Sequence, residues 1–204
     1  MIGYGNHISK WIGRELSRCE NQNQKSILCR YFVDLMEEFT KLENYNGTWI
    51  ALAGFSSQPI GSASVTCLTS LSLSFVNVEC LDAEYRKKIQ KFELLFSPKT
   101  NMKGYREAIG RLPLHIPCIP CISVILSDFL SLFDSLPDVV DGGLIYFRKY
   151  RQLSLFVDDV MALQRNYNYL EPVISIQKWI YEVIRDQVIW LIYFVDLEKM
   201  ENFS

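Results

Sequence analysis

Apolar side chains recur every three or four positions along much of this chain, which is the spacing of one face of an α-helix. The clearest case runs from Lys25 to Leu42, and a more apolar stretch from Asn44 to Phe55 predicts a second helix after a polar break. Asp82 can cap a third helix through its side-chain oxygens. A short fourth helix is predicted from Asn101 to Leu112. The first half of the chain is therefore expected to be helical.

A serine- and threonine-rich stretch at about 62–81 interrupts this pattern. Between Cys67 and Cys80 apolar and polar residues alternate with a period of two, which favours a β-strand. A single strand leaves its backbone groups without partners, and no second strand is evident in the sequence. We interpret the stretch as a loop insertion.

Pro113, Pro117 and Pro120 mark the middle of the chain. Each proline lacks an amide donor and restricts the residue before it, so no continuous helix can run from Arg111 to Cys121. The sequence predicts a stiff, extended linker at this point.

Two helices are predicted after the linker. Ile122 to Asp134 is apolar with few polar residues, which indicates a buried helix of about twelve residues. Asp138 to Gly143 form a turn, and Leu144 to Arg165 continue as an amphipathic helix. Together they predict a helical hairpin, followed by a last helix from about Val173 to Lys199. The expected fold class is all-α.

Composition narrows the function. The chain has 204 residues, 49% of them apolar, which suits one compact domain. Its 21 Lys and Arg are balanced by 23 Asp and Glu, so no basic footprint for nucleic acid is present. The first residues do not form a signal peptide, and the longest apolar run, VIWLIYFV, is shorter than the roughly 18 to 20 residues that cross a bilayer. We expect a cytoplasmic protein without a transmembrane segment.

Covalent chemistry finds little support. Cys118 and Cys121 with His115 nearby could suggest zinc, but a fourth ligand and a second pair at matching spacing are not evident. Only His7 and His115 are available as bases, and no nucleophile elbow, metalloprotease, Walker or dinucleotide motif occurs. The sequence therefore implies no metal, no cofactor and no enzyme in the covalent sense.

Three separated blocks carry a resemblance to a known family. These are LENYNGTWIALAGFSSQPI, then FELLFSPKTNMKGYREAI, and finally IPCIPCISVILSDFLSLFDSLPDVVDGGLIYFRKYRQLSLFVDDVMALQRNYNYL. In this order they resemble the catalytic domain of Ras-type guanine-nucleotide exchange factors, the Son-of-sevenless class. The resemblance covers roughly Ile8 to Ile180 without the insertion, and implies that residues 1–204 are the C-terminal part of such a domain with a protruding helical hairpin.

The resemblance also implies a mechanism, in which the hairpin enters a Ras-family small GTPase beside its nucleotide. Leu130 matches the side chain that displaces Mg²⁺, because an apolar group removes the oxygen ligands that this hard cation needs. Asp134 matches the acid, usually a Glu, that approaches the α-phosphate position and repels the nucleotide. The two positions are four apart and share a helix face. Recruitment to a membrane would then be peripheral, through the GTPase.

Further partner contacts are expected at six positions. They are Ser56, Ser57, Cys121, Asp128, Arg148 and Lys149. For the two serines, ending a helix is an equally good interpretation, since hydroxyls compete for backbone groups there. For the two basic residues, a solvated helix face is the favoured interpretation.

Simpler interpretations compete with the mechanism as well. Leu130 on an apolar helix could be a core leucine, and Asp134 before a Pro-Asp turn could be a solvated acid at a helix end. A rival function is a catalytically impaired relative that serves as a GTPase-binding or protein-interaction module. Departures from the family pattern at Ser56, Ser62 and Cys121 favour this rival.

Overall fold

The computed structural model describes residues 2–55, 80–113, 115–163, 167 and 169–182. Its helices are α1 (Ile2–Arg18), α2 (Gln22–Lys41), α3 (Tyr45–Phe55), α4 (Ala83–Leu95), α5 (Lys103–Arg111), α6 (Ile122–Ser135) and α7 (Phe147–Ala162). A 3₁₀ turn at Pro98–Thr100 and the two-residue strands β1 (Val139–Val140) and β2 (Leu144–Ile145) complete the named elements. The predicted all-α fold is confirmed.

α1 lies outside every helix predicted from the sequence. Its signal was present, because Ile8, Trp11, Ile12 and Leu16 recur at helical spacing and the last two are buried. α1 packs mainly on α3. Gly54 lets the two helices approach closely, since a Cβ there would lie 2.7 Å from the Cβ of Ile12. Tertiary packing thus stabilises a helix whose glycines and polar residues weaken its intrinsic propensity.

The helices α2 and α4 begin at side-chain caps. The Asn21 side chain accepts a hydrogen bond from the amide of Gln24 at 2.8 Å, so α2 starts three residues before the predicted Lys25. The predicted cap at Asp82 is confirmed, with the amide of Tyr85 at 3.0 Å. These caps satisfy amides that a first helical turn leaves without partners.

The hydrophobic core lies among the first five helices. Phe32, Phe55 and Phe96 are fully buried there. The Trp49 ring lies 5.2 Å from that of Phe96, which in turn stacks on Tyr105 at 5.7 Å. Aromatic pairs at such distances add to the free energy gained from buried area. The elements that follow the linker are therefore attached to a closely packed aromatic core.

Apart from Val124, which belongs to the core cluster, the hairpin of α6 and α7 lies beside this core. In the two helices only Val124 and Lys149 are buried. The predicted helix at Ile122 to Asp134 is confirmed, but its predicted burial is wrong. The reason is that α6 packs mainly on α7, with the rings of Phe129 and Phe156 at 6.1 Å, and leaves its other face to solvent.

A short β-ribbon joins the two helices of the hairpin. Val139 pairs with Ile145 and Val140 with Leu144 in antiparallel register. The prediction that the second helix begins at Leu144 is therefore wrong, because α7 begins at Phe147. Gly142 and Gly143 have φ of +85° and +75°, a conformation that suits glycine and turns the chain. Three of the four flanking residues, Val139, Val140 and Ile145, are β-branched, which favours pairing over the continuation of a helix.

Two predicted segments fall largely outside the described residues. The insertion is described only at Cys80 and Leu81. The last predicted helix is described as helical over 174–182. Among the described helices, none combines the length and apolar character needed to cross a bilayer.

Candidate functional site

The two residues expected to displace metal and nucleotide lie on the exposed face of α6. Leu130 has 52% of its surface exposed, which excludes the alternative of a core leucine. Asp134 is also exposed and lies one turn further along the same helix. Its carboxylate has no ion-pair partner in the described part of the chain. Both side chains are therefore accessible to a partner on the same face of α6.

Asp128 is held by an arginine of the neighbouring helix α5. The guanidinium of Arg106 binds its two carboxylate oxygens at 2.6 and 2.7 Å. Arg106 also donates through Nε to the carbonyl of Asn101 at 2.8 Å. A planar guanidinium suits such paired contacts and fixes their direction. The carboxylate predicted to meet a partner instead fastens α6 to α5.

A second contact between α5 and α6 lies at the start of α6. The buried hydroxyl of Tyr105 accepts a hydrogen bond from the amide of Cys121 at 3.0 Å. Cys121 is fully buried, and burial raises the pKa of its thiol to about 11. The thiol therefore stays neutral, and the side chain predicted as a partner contact has no exposed surface to offer.

The linker is anchored by residues 43–46, just before and at the start of α3. Ile119 donates to the carbonyl of Glu43 at 3.0 Å and accepts from the amide of Asn46 at 3.2 Å. The side chain of Asn46 accepts from the amide of Ile122 at 3.2 Å, at the first residue of α6. The side chain of Asn44 accepts from the amide of Gly47 at 2.8 Å, within α3. The two asparagines thus stabilise the starts of two helices, a role that the sequence did not reveal.

The chain after α7 returns to the same corner. Tyr167 donates its hydroxyl to the carbonyl of Leu42 at 2.8 Å. Burial raises the pKa of Tyr167 to about 12, so the hydroxyl keeps its proton near neutral pH. Residues 42–46 therefore contact the chain both where the hairpin begins, at Ile122, and after it ends, at Tyr167.

Lys149 lies inside the hairpin, and its predicted place on a solvated face is wrong. Its ammonium lies 2.7 Å from a carboxylate oxygen of Asp138 and 3.9 Å from the ring centroid of Phe133. The hydroxyl of Tyr150 lies 3.3 Å from the same Asp138 oxygen. The hydrogen bond from Lys149 lowers the pKa of Asp138, which keeps that carboxyl ionised. Arg148, by contrast, is exposed as predicted.

The remaining candidate residues are the two serines expected at a partner contact and the cysteine and histidine considered as zinc ligands. Ser56 and Ser57 lie outside the described residues. Cys118 is buried whereas His115 is exposed. No group of three or more His, Cys, Asp or Glu side chains suited to a metal ion lies in the part of the chain that the structure describes.

Comparison with known proteins assigns a family to this arrangement. A family model described as the RasGEF domain matches residues 1–151. The match runs from α1 through α6 and the β-ribbon and ends within the first turns of α7. Ras guanine nucleotide exchange factor Y of Dictyostelium discoideum is 22% identical over 183 residues, covering 90% of this chain and 11% of that protein. Rap guanine nucleotide exchange factor 6 of Homo sapiens is 25% identical over 158 residues, covering 78% of this chain and 9% of that protein.

A third relative extends the comparison to mouse. Ras-specific guanine nucleotide-releasing factor 1 of Mus musculus is 21% identical over 167 residues, which cover 82% of this chain and 12% of that protein. The chain spans about a tenth of the length of the curated relatives that it matches. The similarity therefore concerns one region of much longer proteins.

Proposed function

This chain belongs to the RasGEF family, and we propose from that premise that it promotes the release of GDP from a Ras-family small GTPase in the cytoplasm. The observation that carries the proposal is the exposed pair of Leu130 and Asp134 on a hairpin that lies beside the core. A side chain can reach into another protein only when it is free of its own core. Both side chains meet this requirement.

Leu130 would act on the metal. Mg²⁺ in nucleotide sites is held by oxygen atoms in near-ideal octahedral geometry and loses its waters reluctantly. An apolar side chain placed in that coordination sphere offers no ligand and excludes water, so the affinity for the metal falls. The exposed position of Leu130 on α6 supports this role.

Asp134 would act on the nucleotide. A carboxylate near the α-phosphate repels its negative charge and offers the GTPase amides a substitute anion. Asp is one methylene shorter than the Glu common in the family, so the helix must approach more closely. The lack of an ion-pair partner for Asp134 among the described residues supports its availability.

Release then follows from linkage. A partner that binds the nucleotide-free GTPase more tightly must weaken nucleotide binding by the same factor. A nucleotide bound at picomolar affinity is held by about 16 kcal/mol, so the opposing interface has to be extensive. We include Arg148, Ser56 and Ser57 in that interface. Asp128, Lys149 and Cys121 are left out, because their side chains are engaged or buried within the chain.

The test is the rate at which a panel of Ras and Rap GTPases releases a fluorescent GDP analogue. The chain is expected to accelerate release, and Leu130→Ala and Asp134→Ala are each expected to slow it at least about tenfold, a barrier change of about 1.4 kcal/mol. Asp134→Glu is expected to retain or exceed the original rate. Leu94→Ala is the matched control, since Leu94 is an exposed leucine on α4.

Two results would overturn the proposal. A folded chain that binds nucleotide-free GTPases without accelerating release would instead be an interaction module of the same family. A chain that neither binds nor releases would exclude both functions for the GTPases tested.

A further inference from the structure

A buried lysine is out of place in this hairpin. The residue surfaces of α6 and α7 are largely exposed, yet Lys149 has only 3% of its surface exposed. Lysine is almost never fully buried unless it is paired, because removing its charge from water costs free energy. The contacts of Lys149 must offset that cost.

Those contacts join three successive parts of the hairpin. Phe133 belongs to the last turn of α6, Asp138 to the segment before β1, and Lys149 to the first turn of α7. The ammonium meets the Asp138 carboxylate at 2.7 Å and the face of the Phe133 ring at 3.9 Å. A desolvated cation over an aromatic ring is worth more than an exposed one. One side chain therefore ties together both helices and the connection between them.

The backbone reinforces the same arrangement. The amide of Tyr146 donates to the carbonyl of Asp138 at 2.9 Å, and the amide of Lys149 donates to the carbonyl of Tyr146 at 3.0 Å. α6 ends at Ser135 with an extended Leu136 rather than a left-handed glycine cap. An ammonium near this helix end also interacts favourably with its dipole. These bonds hold Lys149 and Asp138 beside the last turn of α6.

We propose that Lys149 is a positioning residue, which fixes the last turn of α6, and with it Asp134, through its contacts with Asp138 and Phe133. Phe133 is the immediate neighbour of Asp134 and lies three positions from Leu130. A loosened Phe133 would let the direction of both side chains vary. The consequence for nucleotide release rests on the proposed function, whereas the order of the hairpin is a property of the chain alone.

Backbone order is the first measurement. Amide hydrogen exchange over 133–149 is expected to quicken at least about tenfold in Lys149→Met, which keeps an apolar stem but removes the charge. Asp138→Asn, at a side chain that is half exposed, is expected to give the same pattern. Exchange in α1 to α3 is expected to stay unchanged in both variants. Lys149→Arg is expected to restore most of the protection, because a guanidinium can pair with the carboxylate and stack on the ring.

Arg151→Met provides the matched control, since it removes the same charge from an exposed position of α7. Equal exchange over 133–149 in Lys149→Met and Arg151→Met would overturn the proposal. Faster exchange throughout the core in both Lys149→Met and Asp138→Asn would also overturn it, by showing general stabilisation instead of local positioning.

Nucleotide release distinguishes this inference from the proposed function. If the original chain accelerates release, Lys149→Met is expected to slow it about tenfold while the Kd for the nucleotide-free GTPase changes less than threefold. Unchanged release with a loosened hairpin would overturn the positioning role. An original chain without any activity would reject the proposed function, and hydrogen exchange would still decide the role of Lys149 in ordering the hairpin.

Discussion

Arg106 shows how a single side chain can set the direction of a helix. Its guanidinium binds both carboxylate oxygens of Asp128 on α6 and a backbone carbonyl next to α5. Arg106→Lys is expected to lower the free energy of unfolding by about 1 kcal/mol, because lysine cannot form the paired contact and the pair is only partly exposed. Equilibrium unfolding in urea would measure the change.

Arg111→Lys is the control for that substitution. Arg111 pairs with Glu107 at 3.1 Å, but its side chain is 79% exposed. Surface substitutions of this kind change stability by less than about 0.5 kcal/mol. Equal losses in the two variants would show that the contact with Asp128 contributes nothing beyond an exposed ion pair.

At the residue scale the family motif identified two exposed side chains, but the sequence predicted neither the burial of Lys149 nor the pairing of Asp128. Leu130 and Asp134 were identified through the family motif and both are exposed. Asp128 was assigned to a partner, yet it pairs with Arg106, which lies 22 residues away on another helix. Helix periodicity relates residues three or four positions apart, so it carries no information on contacts between elements. The burial of Lys149 escaped prediction for the same reason.

At the scale of the element, Gly54 sets the distance between α1 and α3. Gly54→Ala is expected to lower the free energy of unfolding by about 1–3 kcal/mol, because its Cβ would overlap with the side chain of Ile12. Gly110→Ala is the control, since its Cβ would meet no atom within 4 Å. It is expected to stabilise α5 by about 0.5–1 kcal/mol through helix propensity. A gain in both variants, measured by urea unfolding, would contradict the close packing.

The elements that the sequence predicted share a strong local signal. α2 has a long apolar face, Asp82 caps α4, and the prolines keep the linker free of helix between α5 and α6. α1 was not predicted because it has fewer apolar residues than α2, and because its stability depends on packing against α3. The ribbon was missed because its two strands have only two residues each, too few for an alternating pattern.

The whole molecule divides into a core and an attached hairpin. The all-α fold and the family were predictable, because periodicity and motif order depend on the sequence alone. The position of the hairpin was not, since it is fixed by the side chains of Asn46, Tyr105 and Arg106, which meet residues distant in the chain. The same contacts leave Leu130 and Asp134 exposed on α6, while the core side chains stay buried.

The contact between Tyr167 and Leu42 spans 125 residues and therefore affects folding kinetics. Closing so long a stretch costs entropy that is recovered only when the elements between are ordered, so this contact is expected to form after the folding transition state. Tyr167→Phe is then expected to speed unfolding and leave refolding nearly unchanged, which stopped-flow kinetics in urea would show. Slower refolding would contradict this order of events. A contact that forms this late in folding slows the unfolding of the folded chain and so lengthens its lifetime.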